Sequence, residues 1–320
     1  MKTPLYTTWA LLALTVAGCS ASRLATGQAA RLAVNAMPSY DRETDVEFAE
    51  LAMAGQLKFL EGLLESASHD PDLLVAVARS FARYTYGFVA LQVEQAEHCG
   101  GTAERERLAS RARDFYGRAY GYALRALTCY QPEFPAALQG TSAQLAQALA
   151  LCTPEHAPAL FWTAFAWGNL RALQSDHPMQ LRDLGHAAQL MHRVVELNDT
   201  LEQAAPHLYL GAVYGRLPAF LGGNPEQSRK HYEQALEYTS GCYLPARLEW
   251  AGEQLRQTAD TAAYHVALGE ILAAAVDSFP AYGLDNQIAC AKAALRLGRT
   301  DAYPLLIRCR SARDPVAVVP

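Results

Sequence analysis

Small residues recur in this chain at intervals close to forty, each time on what reads as a pair of helices. Leu210-Gly211 followed by Tyr214 puts a small residue and an aromatic one turn apart on one helix face. Ser228, Tyr232 and Ala235 then fall at i, i+4 and i+7 on the next segment. Trp167-Gly168 with Ala188, His192 and Val195 gives an earlier set, and Ala251-Gly252 and Leu255 with Ala267, Ile271 and Ala274 a later one. Val77-Ala78 and Phe81 with Ala112, Tyr116 and Ala119 give the first. Positions 168, 211 and 252 are 43 and 41 apart, and positions 195, 235 and 274 are 40 and 39 apart. Small residues let two helices approach closely, and bulky ones fill the space beside them. The chain is rich in Ala and Leu, and only 16 prolines and 21 glycines interrupt its 320 residues. The expected fold class is therefore all-α: degenerate tetratricopeptide-like helical hairpins stacked as an α-solenoid.

A standard unit of that kind has about 34 residues. The excess lies between the two helices of each unit, and in the clearest unit it is "RLPAFLGGNPE". Pro218 ends the first helix there, because it lacks an N–H and clashes with the preceding turn. Gly222 and Gly223 permit the reversal, Asn224 caps the next helix, and Pro225 takes its first position with Glu226 behind it. A phosphate cradle would need Gly-x-x-x-x-Gly-Lys-Ser/Thr after a strand, and neither is present here. The same logic starts helices at Asp70-Pro71, after a cap at Thr102, and after Thr153-Pro154.

The first 18 residues read as a signal segment. Lys2 precedes the apolar run "WALLALTVAG", which is too short to span a membrane. It ends in Val16-Ala17-Gly18-Cys19, which resembles a bacterial lipobox, with Cys19 as the acylated N-terminus of the mature protein. The alternative is an ordinary signal peptide with an incidental cysteine. Several acyl chains, at about 0.8 kcal/mol per buried methylene, give a stable anchor. Ser20 rather than Asp after the cysteine favours, by analogy, the periplasmic side of the outer membrane in a Gram-negative bacterium. The expected organisation is a signal peptide over 1–18, a lipidated cysteine and tether over 19–40, a helical repeat domain over 41–304 and a tail over 305–320. Six cysteines remain in the mature chain and the periplasm permits pairing, with Cys129–Cys152 and Cys290–Cys309 suggested by their spacing.

Net charge is −5 with no basic run, which argues against nucleic acid as a partner. No HExxH, GxSxG, GxGxxG or CxxC occurs in a supporting context, so no enzyme, metal or cofactor is expected. His186 and His192 are six apart and do not share a helix face, whereas His207 and His231 lie on the two helices of one unit and can approach each other. Cys99 before Gly100-Gly101 reads as a disulfide or buried thiol rather than a reactive one. Phe161, Trp162, Phe165 and Trp167 crowd seven residues, so that helix is buried on more than one side. They read either as core between repeats or, with Asn169 as the polar group, as the lining of a ligand cleft. Tyr84, Tyr86, Tyr116, Tyr120 and Tyr122 make the first half tyrosine-rich, with hydroxyls available to a ligand or partner.

"ALFWTAFAWGNLRAL", then "HRVVELN", then "HLYLGAVYGRLPAFLGGNPEQSRKHYEQALEYTSG" resemble the T component of tripartite ATP-independent periplasmic (TRAP) transporters. "EGLLESASHDPDLLVAVARSFARYTYGFV" with "FYGRAYGYALRAL" resembles that family's first half, so the likeness covers most of the chain after residue 50. The resemblance implies a lipid-anchored helical-repeat protein that partners the transporter's solute-binding (P) subunit. It also implies a ring-like homo-oligomer with a central pore and a small apolar or organic-acid ligand. Where the family tends to carry a Lys, Arg247 stands here and would still serve a carboxylate. Candidate ligand- or pore-lining residues are thus Trp162, Trp167, Asn169, Tyr214 and Arg247. A tetratricopeptide scaffold lipoprotein of envelope assembly is the alternative, disfavoured by the spacing near 40.

Overall fold

The computed structural model describes residues 27–174 and 180–299, and every regular element among them is helical. The signal segment, Cys19 and the tail over 305–320 lie outside the described residues. Within the stretch read as a tether, residues 27–41 form helix α1, which buries Ala30 and Met37. Helix α2 runs Val46–Leu64 and α3 Pro71–Tyr84. The chain continues through a π-helical turn, Thr85–Val89, into α4, Ala90–His98. Next come α5, Thr102–Tyr130, the short α6, Phe134–Gln139, and α7, Ser142–Ala150. Helix α8 spans Ala157–Ala172, α9 Gln180–Asn198, α10 Leu201–Arg216, α11 Pro225–Tyr238, α12 Leu244–Thr258, α13 Thr261–Leu272 and α14 Gly283–Arg296.

Side-chain caps mark several of these starts. Asp70 accepts from Leu73 N at 3.0 Å ahead of Pro71. Asn224 accepts from both Glu226 N and Gln227 N at 3.1 Å, satisfying two N–H groups that the helix cannot pair itself. Thr102, by contrast, is the first helical residue of α5, and Gly101 holds the cap position with no side-chain hydrogen bond. Helix α5 is about 43 Å long at 1.5 Å per residue. Its buried Leu108, Ala112, Tyr116, Ala119, Ala123 and Leu127 form one stripe.

Helices pack in chain order: α3 on α5, α5 on α8, α8 on α9, α9 on α10, α10 on α11, and α12 on α13. Between α10 and α11 the crossing is close. A Cβ on Gly211 would sit 2.9 Å from the ring of Tyr232, and Ser228 Oγ donates to Gly211 O at 2.7 Å. Ser228, Tyr232 and Ala235 are all buried there, as are Ala112, Tyr116 and Ala119 on α5. In α9 the buried phase lies one residue earlier than the sequence suggested, at Ala187, Met191 and Val194. In α13 it falls on Leu268 and Ile271. The loop between α10 and α11 is a turn. Gly222 adopts φ +92°, and a side chain on Gly223 would run into the Leu217 carbonyl, so two glycines meet two different needs.

One large core joins α2, α3, α5, α8 and α9. A second, around Leu244, Leu248, Leu268 and Ile271, joins α12 and α13 to Ala289, Cys290 and Ala293 of α14. Helix α14 then returns to the first third of the chain. Ala291, Ala294 and Leu295 pack on Leu91, Ile288 meets Gly87, and Arg296 Nε donates to Glu94 at 2.7 Å. The circuit of helices is thereby closed. Cys99 is disulfide-bonded. The suggested Cys129–Cys152 pair does not form, since both are free thiols and their neighbours are His69 O and Ala148 O respectively. Cys290 is buried with its thiol toward Ile271 O at 3.5 Å, and its suggested partner Cys309 lies outside the described residues. No described helix is long and apolar enough to cross a membrane.

Candidate functional site

Closing the circuit leaves a cavity of about 320 Å³ between α3, α8, α10, α12 and α14. Helix α8 supplies the aromatic wall. Phe161, Trp162 and Phe165 pack on one another at ring separations of 4.7 to 5.7 Å, and all three face the cavity. Leu208, Ala212 and Val213 of α10, Leu248 of α12 and Ile288 of α14 complete the apolar lining. A cavity of that volume with mostly apolar walls lies within the size range of small-molecule pockets in general.

The polar part of the lining is anchored by an ion-pair network. Arg83 of α3 reaches Asp285 of α14 at 2.7 Å, Asp41 of α1 at 3.1 Å and Glu202 of α10 at 3.6 Å. Arg79, one turn earlier, binds Asp41 at 2.9 Å and Glu202 at 2.8 Å. Burial works against the charge on Arg83, but Asp285, Asp41 and Glu202 outweigh it and hold its pKa above the ordinary value. Glu202, Gln203 and Ala204 all adopt left-handed φ, between 47° and 59°. Such a conformation costs a non-glycine residue about 1–3 kcal/mol and persists only where the surroundings enforce it. Arg79 and Arg83 grip the Glu202 side chain at the start of this turn.

Four further residues with polar groups line the cavity. Tyr86, in the π-turn, donates its hydroxyl to Glu249 at 3.3 Å and packs edge-on against Phe165. Lys292 of α14 lies over the Tyr86 ring, its Nζ 3.9 Å from the centroid and 3.3 Å from Tyr86 O. Burial lowers the Lys292 pKa, against the pull of Glu249, Glu94 and Asp285. Tyr209 of α10 also faces the cavity, over Gly168, and its buried hydroxyl has no hydrogen-bond partner among the described residues. Asn169 donates Nδ2 to Phe165 O at 2.8 Å, which leaves its carbonyl oxygen for the cavity.

Of the five candidates from the sequence, Trp162 and Asn169 line this cavity. Trp167 is buried on the opposite face of α8, between Tyr120 and His186, with ring separations of 5.7 and 6.4 Å. Arg247 pairs with Glu270 at 3.1 Å on the outer side. Tyr214 lies in a histidine cluster instead. It hydrogen-bonds His192 Nε2 at 2.8 Å and stacks on His231, whose Nδ1 shares a hydrogen bond with His207 Nδ1 at 2.9 Å. Pro218, Gly222, Gly223, Asn224 and Pro225 form the turn beside Arg216 and Leu217, which line the cavity. Arg83, Lys292 and Tyr209 were missed. The signal for Lys292 was legible: Ile288, Lys292 and Leu295 share one face of an otherwise apolar helix. No group of three or more His, Cys, Asp or Glu side chains among the described residues is arranged to hold a metal ion, the histidine cluster included.

The histidine cluster predicts acid sensitivity. Burial, then the neighbouring His207 and His192, depress the His231 pKa to about 4 from 6.5. The unfolded chain therefore binds more protons in that window, and stability present above pH 6.5 is lost as the pH falls toward 4. Glu61 follows at lower pH: burial raises its pKa, but hydrogen bonds from Arg118, Lys58 and Tyr122 prevail and hold it at about 2. Its contribution is lost as the pH falls from 4.5 toward 2. Urea midpoints measured across pH 7 to 3 should fall in both windows, and His231→Gln should make the fall shallower in the upper one alone, where His192 and His207 still contribute.

No curated protein matches the chain. The family model of the TRAP transporter T-component matches residues 42–303, which include every helix that lines the cavity. The chain therefore belongs to the TRAP transporter T-component family.

Proposed function

We propose that this T component is a lipid-anchored accessory subunit that holds a small apolar or organic-acid ligand in its cavity and docks the solute-binding subunit of its transporter. The observation that carries the reading is the cavity itself: about 320 Å³, walled by Phe161, Trp162 and Phe165, with polar groups confined to a few positions. Family membership supplies the transporter context. The role is binding rather than catalysis, because T components are transporter accessory proteins. The close α10–α11 crossing at Gly211 supports tetratricopeptide-like hairpins. Assembly into a homo-oligomer with a central pore is part of the same proposal. Isothermal calorimetry tests it: the mature domain should bind the purified solute-binding subunit saturably, and no heat at micromolar concentrations would contradict it.

Anchoring on the periplasmic face of the outer membrane rests on Val16-Ala17-Gly18-Cys19. Cys19→Ser should move the protein from the membrane fraction to the soluble periplasm and remove acyl mass from its N-terminus. A variant that stayed membrane-bound would place the anchor elsewhere.

A further inference from the structure

Lys292 is the least expected residue on the cavity wall. It is 7% exposed, and it lies on an α14 face whose neighbours are Ile288, Ala289, Ala293 and Leu295. An ammonium in that position is costly unless charge or hydrogen bonds compensate it. Its partners are weak for a cation: one backbone carbonyl at 3.3 Å and the face of Tyr86. The other cations on the wall, Arg83, Arg171 and Arg216, each have a carboxylate within 3.4 Å. Lys292 has none within 4.0 Å among the described residues.

The carboxylates that face Lys292 are engaged elsewhere. Glu249 accepts from Tyr86 and from Arg216 at 3.4 Å. Glu94 is held by Arg296 at 2.7 Å. Asp285 is held by Arg83 at 2.7 Å and accepts from Tyr243 at 3.2 Å. These groups balance Lys292 at a distance, but none caps it. The Tyr209 hydroxyl, which has no hydrogen-bond partner among the described residues, is sealed against Gly168 and is not presented to the cavity. An ammonium without a contacting anion, opposite an aromatic wall, describes one kind of ligand.

Resting on the reading of this cavity as a ligand site, we infer that Lys292 binds the acidic group of a small organic monoanion whose apolar body lies against Phe161, Trp162 and Phe165. A carboxylate seated at Lys292 replaces water with a charge-assisted hydrogen bond inside a low-dielectric wall, where such a bond is strong. A neutral amide of equal shape gains the apolar contacts without the charge.

The test uses matched pairs, 3-phenylpropanoate with 3-phenylpropanamide and octanoate with octanamide, titrated into the mature protein by calorimetry. At least one acid should bind wild type about tenfold or more tighter than its amide. Lys292→Met should erase that preference and leave amide affinity unchanged, and Lys292→Arg should retain it. Acid and amide binding wild type equally would overturn the role of Lys292 while leaving the cavity as a ligand site. Binding of no member of either pair by wild type would overturn the cavity reading and this inference together. The wild-type acid-to-amide ratio decides the matter even if Lys292→Met fails to fold.

Discussion

Replacing Arg83 by Met should lower the unfolding free energy by about 3–5 kcal/mol, the usual cost of removing one partner from a buried ion pair. The Arg83 side chain is 11% exposed and ties α3 to α1, α10 and α14 through Asp41, Glu202 and Asp285. Methionine keeps the packing of the stem and leaves Asp285 without its arginine. Arg79 still holds Asp41 and Glu202, so the loss falls on the closure of α14 against α3. The control is Arg107→Ala. Arg107 and Glu104 form an ion pair at 2.6 Å, but their side chains are 62% and 53% exposed, and solvent screens such a pair, so its loss should leave the urea midpoint nearly unchanged. Urea denaturation followed by far-UV circular dichroism measures both. A shift below about 1 kcal/mol for Arg83→Met would mean that the network does not hold the circuit closed.

Filling the cavity should have the second large effect, on binding rather than folding. Ala212 lines the cavity from α10, so Ala212→Trp puts an indole into space rather than into packed core. Overpacking costs about 1–3 kcal/mol where no space exists and less where it does. The variant should fold, with its helical content unchanged, and lose measurable binding of every small molecule the wild-type protein takes. Retained affinity in a folded Ala212→Trp would place the ligand site outside this cavity.

Those two sites were legible in the sequence to different degrees. The α10–α11 turn was readable residue by residue, because Pro218, Asn224 and Pro225 act through local backbone chemistry. Glycine duties were less so: Gly222 takes the left-handed turn, but Gly223 is there for the approach of Leu217 O, a contact that spacing does not announce. The aromatic run of α8 correctly implied burial on two faces. Which ring met core and which met the cavity depended on the partners of α8, so Trp162 and Trp167, five residues apart, separate. The buried phase of α9 was offset by one residue, since Ala187 and Ala188 are chemically alike and only packing distinguishes them. The return of α14 onto Leu91 and Glu94 joins residues about 200 positions apart, as does the Arg83–Asp285 pair. No local pattern encodes such pairings, so the cavity they enclose, and the strained turn at Glu202–Ala204 beside it, emerge only in three dimensions.

The most direct test of the transporter account is a pull-down from detergent extract with the mature domain as bait, followed by native mass spectrometry of the eluate. The account predicts a TRAP solute-binding subunit in the eluate, together with the bait as a closed homo-oligomer. Recovery of outer-membrane assembly proteins with a monomeric bait, and no solute-binding subunit, would contradict it and favour an envelope scaffold.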